Sequence, residues 1–287
     1  MTPAAPVPPA PGTGGALAWR SPAARSAAKY RAIFATQLAQ TAAYPADVAA
    51  RSLSIVVFMW VFIHLWRATY EAAGQSQVAG LTLAQTLWYL VLAETIVLSK
   101  PRPAAAIAEA VKDGSIAYQL NKPYSFLLYH FSVGLGDSLV RMVGNLVAGG
   151  ALVWWVAGPP PDPRGWPLVL VAMTLAWAID FGMVALIGLL GFVTEEVAAF
   201  EWIYSKVLFL FGGLLIPLDF FPDGLRTVAE RLPFAYTLYG PARLFVTPDV
   251  DRFAHLVTGQ LLWLALVGGL AAAAYRAGVR RLTINGG

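Results

Sequence analysis

The chain has 287 residues, of which 58% are hydrophobic and 13% charged, with a formal net charge of +4 and no cysteine. A soluble domain is about 45–50% apolar and about 25% charged, so this composition excludes an ordinary soluble fold and makes lipid the expected solvent. The missing cysteines exclude a disulfide scaffold, a thiolate zinc site, an iron–sulfur centre and a cysteine nucleophile.

Residues 1–24 open with five prolines in the first eleven positions, followed by Gly12, Gly14 and Gly15. This stretch reads as a disordered cytoplasmic tail, not a signal peptide, because no basic start leads into an apolar run. From Arg25 to Tyr44, Tyr30, Ile33, Phe34 and Leu38 share one helical face, with Arg31, Gln37 and Gln40 elsewhere. That pattern predicts an amphipathic helix lying in the membrane interface.

A window of about 20 residues, matched to about 30 Å of hydrocarbon, selects six spans. They run roughly over 47–66, 81–99, 139–157, 166–193, 202–218 and 256–275. With both termini inside, fourteen Lys and Arg fall on or near the inner side. Six fall outside: Arg67, Arg164, Arg226, Arg231, Arg243 and Arg252. Cationic loops face the cytoplasm, so the basic balance is a topology signal and implies no nucleic-acid partner.

Between the second and third spans, Pro101-Arg102-Pro103 and Asn121-Lys122-Pro123 bracket a short helical stretch, 104–120. Ile107, Ala110 and Val111 form its apolar face, Glu109, Lys112 and Asp113 are polar, and Asp113-Gly114 marks a turn before Ser115 to Leu120. The pattern fits a cytoplasmic docking surface as well as a connector lying on headgroups. Between the fifth and sixth spans, Phe220, Pro222, Pro233, Tyr236, Tyr239 and Pro241 punctuate a segment too apolar for a solvated loop and too interrupted for a span. Such backbone sits at membrane depth only where protein or a wet cavity satisfies it, which predicts a re-entrant or interfacial helical pair at the outer face.

No lysine follows a glycine as a P-loop requires, since Lys29, Lys100, Lys112, Lys122 and Lys206 follow Ala28, Ser99, Val111, Asn121 and Ser205. His64, His130 and His255 are far apart, and no G-x-S-x-G elbow occurs. No catalytic, cofactor-binding or metal-ligating residue is therefore assigned. His64, Glu94, Asp180 and Lys206 are ionisable groups within spans, which mark functional candidates. Counted by depth, Glu94 matches Lys206 and His64 matches Asp180. Asp137 and Arg141 are spaced to pair along one helix. Thr194 before Glu195 and Glu196 reads as a helix N-cap.

The run Glu109-Ala-Val-Lys-Asp-Gly-Ser-Ile-Ala-Tyr-Gln-Leu-Asn-Lys-Pro123, the stretch Gly212-Gly-Leu-Leu-Ile-Pro-Leu-Asp-Phe-Phe-Pro222 and the following Leu232-Pro-Phe-Ala-Tyr-Thr-Leu-Tyr-Gly-Pro241 resemble the type-2 ABC transporter permease family. The likeness covers residues 25–287 and is nearest to bacterial export permeases without a fused ATPase. It implies an all-α integral membrane protein of six transmembrane helices in a bacterial cytoplasmic membrane. It also implies a homo- or heterodimer of permeases seated on a separate ABC ATPase that uses ATP and Mg. Within it, Ile107, Glu109, Val111, Lys112, Asp113 and Gly114 would belong to the ATPase-coupling helix. The outer re-entrant pair would gate exit of an amphipathic, lipid, drug or saccharide-like substrate. An ion-coupled secondary transporter or a membrane-embedded scaffold are the competing classes.

Overall fold

The computed structural model describes residues 22–160, 162, 165–194 and 196–285. Most of the expected tail, and Glu195 of the expected N-cap, lie outside the described residues.

The elements follow in chain order. Helix α1 (Pro22–Ala42) covers the stretch expected to be helical before the first span, and α2 (Pro45–Ala73) starts on a proline and ends at Gly74. A small hairpin follows, β1 (Gln77–Val78) and β2 (Leu81–Thr82), turning through Ala79 and Gly80. Next come α3 (Leu83–Ser99), α4 (Ala104–Lys112), α5 (Ile116–Leu120), α6 (Phe126–Ala157) and α7 (Trp166–Leu189), the last continuing as a 3₁₀ turn, Leu190–Phe192. Helix α8 (Ala198–Phe211) leads through a second 3₁₀ turn, Leu218–Phe220, to α9 (Asp223–Arg231), α10 (Pro233–Thr237), α11 (Tyr239–Val246) and α12 (Val250–Asn285).

Among the described residues the fold is all helical apart from that hairpin. Four helices are long and apolar enough to cross a membrane: α2, α6, α7 with its 3₁₀ turn, and α12. The two other expected spans are shorter. Helix α3 has 17 residues and α8 has 14, or about 26 Å and about 21 Å at 1.5 Å per residue. The expected span 202–218 is broken at its far end, where Gly213 takes φ 73° and its carbonyl accepts the Tyr89 hydroxyl at 2.7 Å. A side chain at Gly213 would also press on that hydroxyl. The helix therefore stops at Phe211 and begins earlier, at Ala198.

Helix α3 is the centre of the molecule. Thr82 and Gln85 form a capping box at its start, each side chain accepting from the other's backbone N–H. Every residue from Thr86 to Val97 is buried, as expected for a helix apolar on all sides, and α2, α6 and α11 surround it. Tyr70 ties α2 to this core by donating to the Leu81 carbonyl at 2.8 Å and bonding the Thr86 hydroxyl at 2.9 Å. On the other side, α7 packs against α12, α4, α10 and α11, while α1 lies along α6 through half-buried Tyr30, Ile33, Phe34 and Leu38.

Helix α7 also sets the two ends of the molecule. Trp166 at its start packs edge-on against Phe245 of α11, with ring centroids 5.0 Å apart. Gly188 near its finish lies so close to α4 that an added Cβ would fall 2.9 Å from the Ala104 carbonyl oxygen and from the Ile107 Cβ. From Trp166 to Gly188 the helix rises about 33 Å between its contacts with α11 and with α4.

Two local expectations change. The segment read as a helical pair forms three short helices, α9 to α11, with only Leu238 between the last two. It is also part of the core, since Leu244, Phe245 and Val246 are buried, which is how its interrupted backbone is shielded. Thr194 is not the N-cap of α8, whose first helical residue is Ala198. The Thr194 hydroxyl accepts from the Glu196 N–H, and the N-cap position falls to Val197, with the Glu196 carboxylate beside it accepting from the Ala198 N–H at 2.9 Å.

Candidate coupling segment and a buried charge network

The end of α3 and the two short helices after it form the most organised polar region of the protein. Pro101 and Pro103 stop α3 from continuing, and the chain re-enters helix at Ala104. Ile107, Ala108 and Val111 face inward with at most 8% exposure, against the end of α7 and the Leu190–Phe192 turn. Burying Ile107 and Val111 stabilises this docking by about 1.5–3 kcal/mol each. Glu109, Lys112 and Asp113 are exposed. Gly114 takes φ 74°, and Asp113 accepts from the Ser115 N–H at 2.8 Å. That backbone bond holds the Asp113 carboxyl below its usual range. In α5, Ile116 is fully buried whereas Tyr118 is 78% exposed.

Helix α1 is bonded to the far side of this segment. Lys29 donates to the Pro123 carbonyl, and the Tyr30 hydroxyl accepts from the Ser125 N–H at 2.8 Å. Two hydrogen bonds therefore tie α1 to the end of the 104–125 segment.

Where α3 ends, a buried ion pair joins a partly exposed one in a single polar network. Ser99, Lys100 and Pro101 are all buried, so α3 ends inside the protein. Lys100 Nζ meets Asp180 Oδ1 of α7 at 2.9 Å, with side chains 10% and 4% exposed. The Tyr204 hydroxyl of α8 donates to the same carboxylate oxygen at 2.6 Å, and the Lys100 ammonium lies 4.8 Å from the centre of the Tyr204 ring. On the opposite side of α3, Arg141 donates to the Lys100 carbonyl at 3.3 Å and pairs with Asp137 at 2.6 Å. Asp137 in turn accepts from Thr41 of α1 at 3.3 Å. Asn145 donates to the Ser99 hydroxyl at 2.9 Å. One polar path thus joins α1, α6, α3, α7 and α8 at the residue from which the 101–123 segment departs.

The depth-matched pairs do not form. Asp180 is taken by Lys100, and His64 is exposed on α2, its ring against Trp60 and its Nδ1 2.8 Å from the Trp60 carbonyl oxygen. Lys206 is exposed, its ammonium 5.3 Å from the Trp202 ring and 5.4 Å from the Phe209 ring. Glu94 is buried at 4% exposure in α3 and makes no ion pair among the described residues. Equal depth leaves the direction around each helix open, and that direction decides which groups meet. The Asp137–Arg141 pair, set by spacing along one helix, does form. Lys100 and Tyr204 were not singled out by sequence; the available signal was a lysine directly before Pro101-Arg102-Pro103, ahead of the stretch 104–120.

At the other end, Phe220 packs against Trp66 at 4.8 Å, Pro222 precedes α9, and Pro233 opens α10. The Tyr236 carbonyl accepts from buried Gln260 of α12 at 2.9 Å, Tyr239 lies 6.2 Å from Tyr89, and Pro241 is buried in α11. These residues join the segment to α2, α3 and α12.

A family model described as ABC-2 family transporter protein matches residues 53–286, a stretch containing the central helix, the 104–120 segment and His64, Glu94, Asp180 and Lys206. The chain belongs to the ABC-2 transporter family. No curated protein matches it by sequence. Membership makes this ABC-2 protein a membrane-embedded permease component of a family that normally works with an ABC ATPase and is generally non-catalytic itself.

Proposed function

We propose that the protein is the permease subunit of an ATP-driven exporter in a bacterial cytoplasmic membrane, with residues 25–287 as its transmembrane domain. It dimerises with a second copy or a related permease and exports an amphipathic, lipid, drug or saccharide-like substrate. A separate ABC ATPase, using ATP and Mg, docks on α4 and α5. The observation that carries this reading is the split of the 104–120 segment into a packed face, Ile107 and Val111, and an exposed face, Glu109, Lys112, Asp113 and Tyr118. A surface connector has no need of an exposed aromatic tip braced by a buried face.

In this reading α4 faces the cytoplasm, both termini are cytoplasmic, and α11 lies at the outer face. Helices α3 and α8 serve as the second and fifth of six spans, and their shortness follows from ends shielded by protein instead of lipid. ATP-driven closure of the partner pushes on α4, and the displacement reaches α7 through Gly188, and α3 and α8 through Lys100, Asp180 and Tyr204.

The test is co-purification. Tyr118→Ala changes a side chain that is 78% exposed and leaves the fold intact. It should lower recovery of the ATPase and vanadate-sensitive transport at least several-fold, with unchanged expression and elution. Full recovery of the partner and full transport in a Tyr118→Ala, Glu109→Ala double variant would refute docking at this surface. Transport that is collapsed by an uncoupler and untouched by vanadate would point to the ion-coupled class.

A further inference from the structure

At the α11 end, α9, α10, α11 and α12 enclose an open cavity of about 460 Å³ whose lining includes Arg226, Arg243, Arg252, Asp251 and His255. The arginines are not equivalent. Arg226 is occupied by Glu230, donating through Nε at 2.8 Å, and Arg243 donates through Nε to Asp219 at 3.2 Å. Arg252 makes no ion pair among the described residues.

Arg243 and Arg252 are nevertheless held together. Both donate an Nη1 hydrogen to the same Thr247 hydroxyl oxygen, at 2.9 and 3.0 Å, while that hydroxyl donates to the Arg243 carbonyl. Their Nη1 nitrogens are therefore no farther apart than two hydrogen bonds, with a neutral oxygen as the tie. Asp219 neutralises Arg243 while Arg252 has no ion pair, so the two guanidinium groups share one uncompensated positive charge, which a bound anion would balance. Paired guanidinium forks match the oxygen spacing of a phosphate.

Two further observations define the rest of the ligand. Asp251 lines the same cavity and supplies a carboxylate for a cationic group next to the phosphate. Asp251 and His255 also share a helical face with Leu262 and Leu266, by spacings of four, seven and four residues. Those leucines are 69% and 52% exposed, so the cavity opens onto an apolar stripe that runs along α12 away from it.

We infer that this cavity binds the headgroup of a zwitterionic phospholipid. Its phosphate lies between Arg243 and Arg252, its ammonium faces Asp251, and its acyl chains lie along Leu262 and Leu266. This is a lipid site at the end opposite the ATPase-docking segment, and it does not depend on how transport is driven.

The experiment titrates the full-length protein, purified in a maltoside detergent, with short-chain phosphatidylethanolamine, and reads bound lipid by native mass spectrometry. Saturable one-to-one binding is expected. Arg252→Gln should weaken it about tenfold or more, as loss of a charge-assisted bond implies. Arg231→Gln removes an exposed charge from α9 outside the cavity and should leave binding unchanged. Asp251→Asn should erase any preference for phosphatidylethanolamine over phosphatidylglycerol. Equal weakening by Arg252→Gln and Arg231→Gln would reduce the effect to surface charge and overturn the assignment. Equal affinity for phosphoethanolamine without acyl chains would overturn the lipid assignment in favour of a soluble phosphoester, and absence of saturation would overturn both.

Discussion

Replacing Asp180 by Asn leaves the Lys100 ammonium buried against the Tyr204 ring without its counter-charge. At 2.9 Å and an effective dielectric constant of about 20, the attraction lost is about 6 kcal/mol. Part of that only offsets the desolvation of two groups exposed by 10% or less, so the net loss expected for breaking a buried pair from one side is about 3–5 kcal/mol. Lys100→Met should cost less than Asp180→Asn, because Asp180 keeps the Tyr204 hydroxyl as a donor. The double variant Lys100→Met, Asp180→Asn removes both charges and should recover most of the loss. Thermal unfolding of the purified protein in detergent checks this. At about 2–4 °C per kcal/mol for a chain of this size, Asp180→Asn should lower Tm by roughly 6–20 °C, and the double variant should lie within a few degrees of the wild type. Single variants that unfold with the wild type, or a double variant as unstable as the two singles added, would refute the buried pair.

Gly188→Ala places a Cβ 2.9 Å from the Ala104 carbonyl oxygen and should destabilise the α4–α7 contact by about 1–3 kcal/mol, read as a lower Tm with faster proteolysis between residues 104 and 123. Tyr70→Phe removes the bonds to the Leu81 carbonyl and Thr86; the buried acceptor left behind should cost about 1–3 kcal/mol, measured the same way. Because the chain has no cysteine, single cysteines report accessibility directly: Glu109→Cys should react quickly with a maleimide in the purified protein, and Val111→Cys, at a position 8% exposed, should not. With a membrane-impermeant maleimide, Tyr118→Cys should label only in inverted vesicles and Arg231→Cys only in intact cells; the opposite pattern would reverse the proposed orientation.

Much of the fold is readable along the chain because the signals are local. Apolar runs place α2, α6, α7 and α12, the one-faced pattern of Tyr30 to Leu38 places α1, and the two proline brackets with Asp113-Gly114 delimit α4 and α5. The Ala79-Gly80 hairpin was not anticipated, since strands of two residues carry no alternation to read. The break of the fifth expected span at Gly212-Gly213 was missed because hydropathy stays high through it; only the Tyr89 hydroxyl reaching the Gly213 carbonyl marks the turn.

The buried charges divide the same way. Composition and position established that Glu94, Asp180 and Lys206 sit in apolar segments and need an explanation, because one chain is enough to show a charge in an apolar run. Which charges meet was decided by the tertiary structure. Helix α3 ends inside the protein, which brings Lys100 to Asp180 and Tyr204, while His64 and Lys206 face outward on α2 and α8. Depth along a helix accumulates at a fixed rise per residue and can be counted from sequence. The direction a residue faces, and the level at which its helix stops, depend on neighbours distant in the chain, and these set both the charge network and the brace that holds α4 on α7.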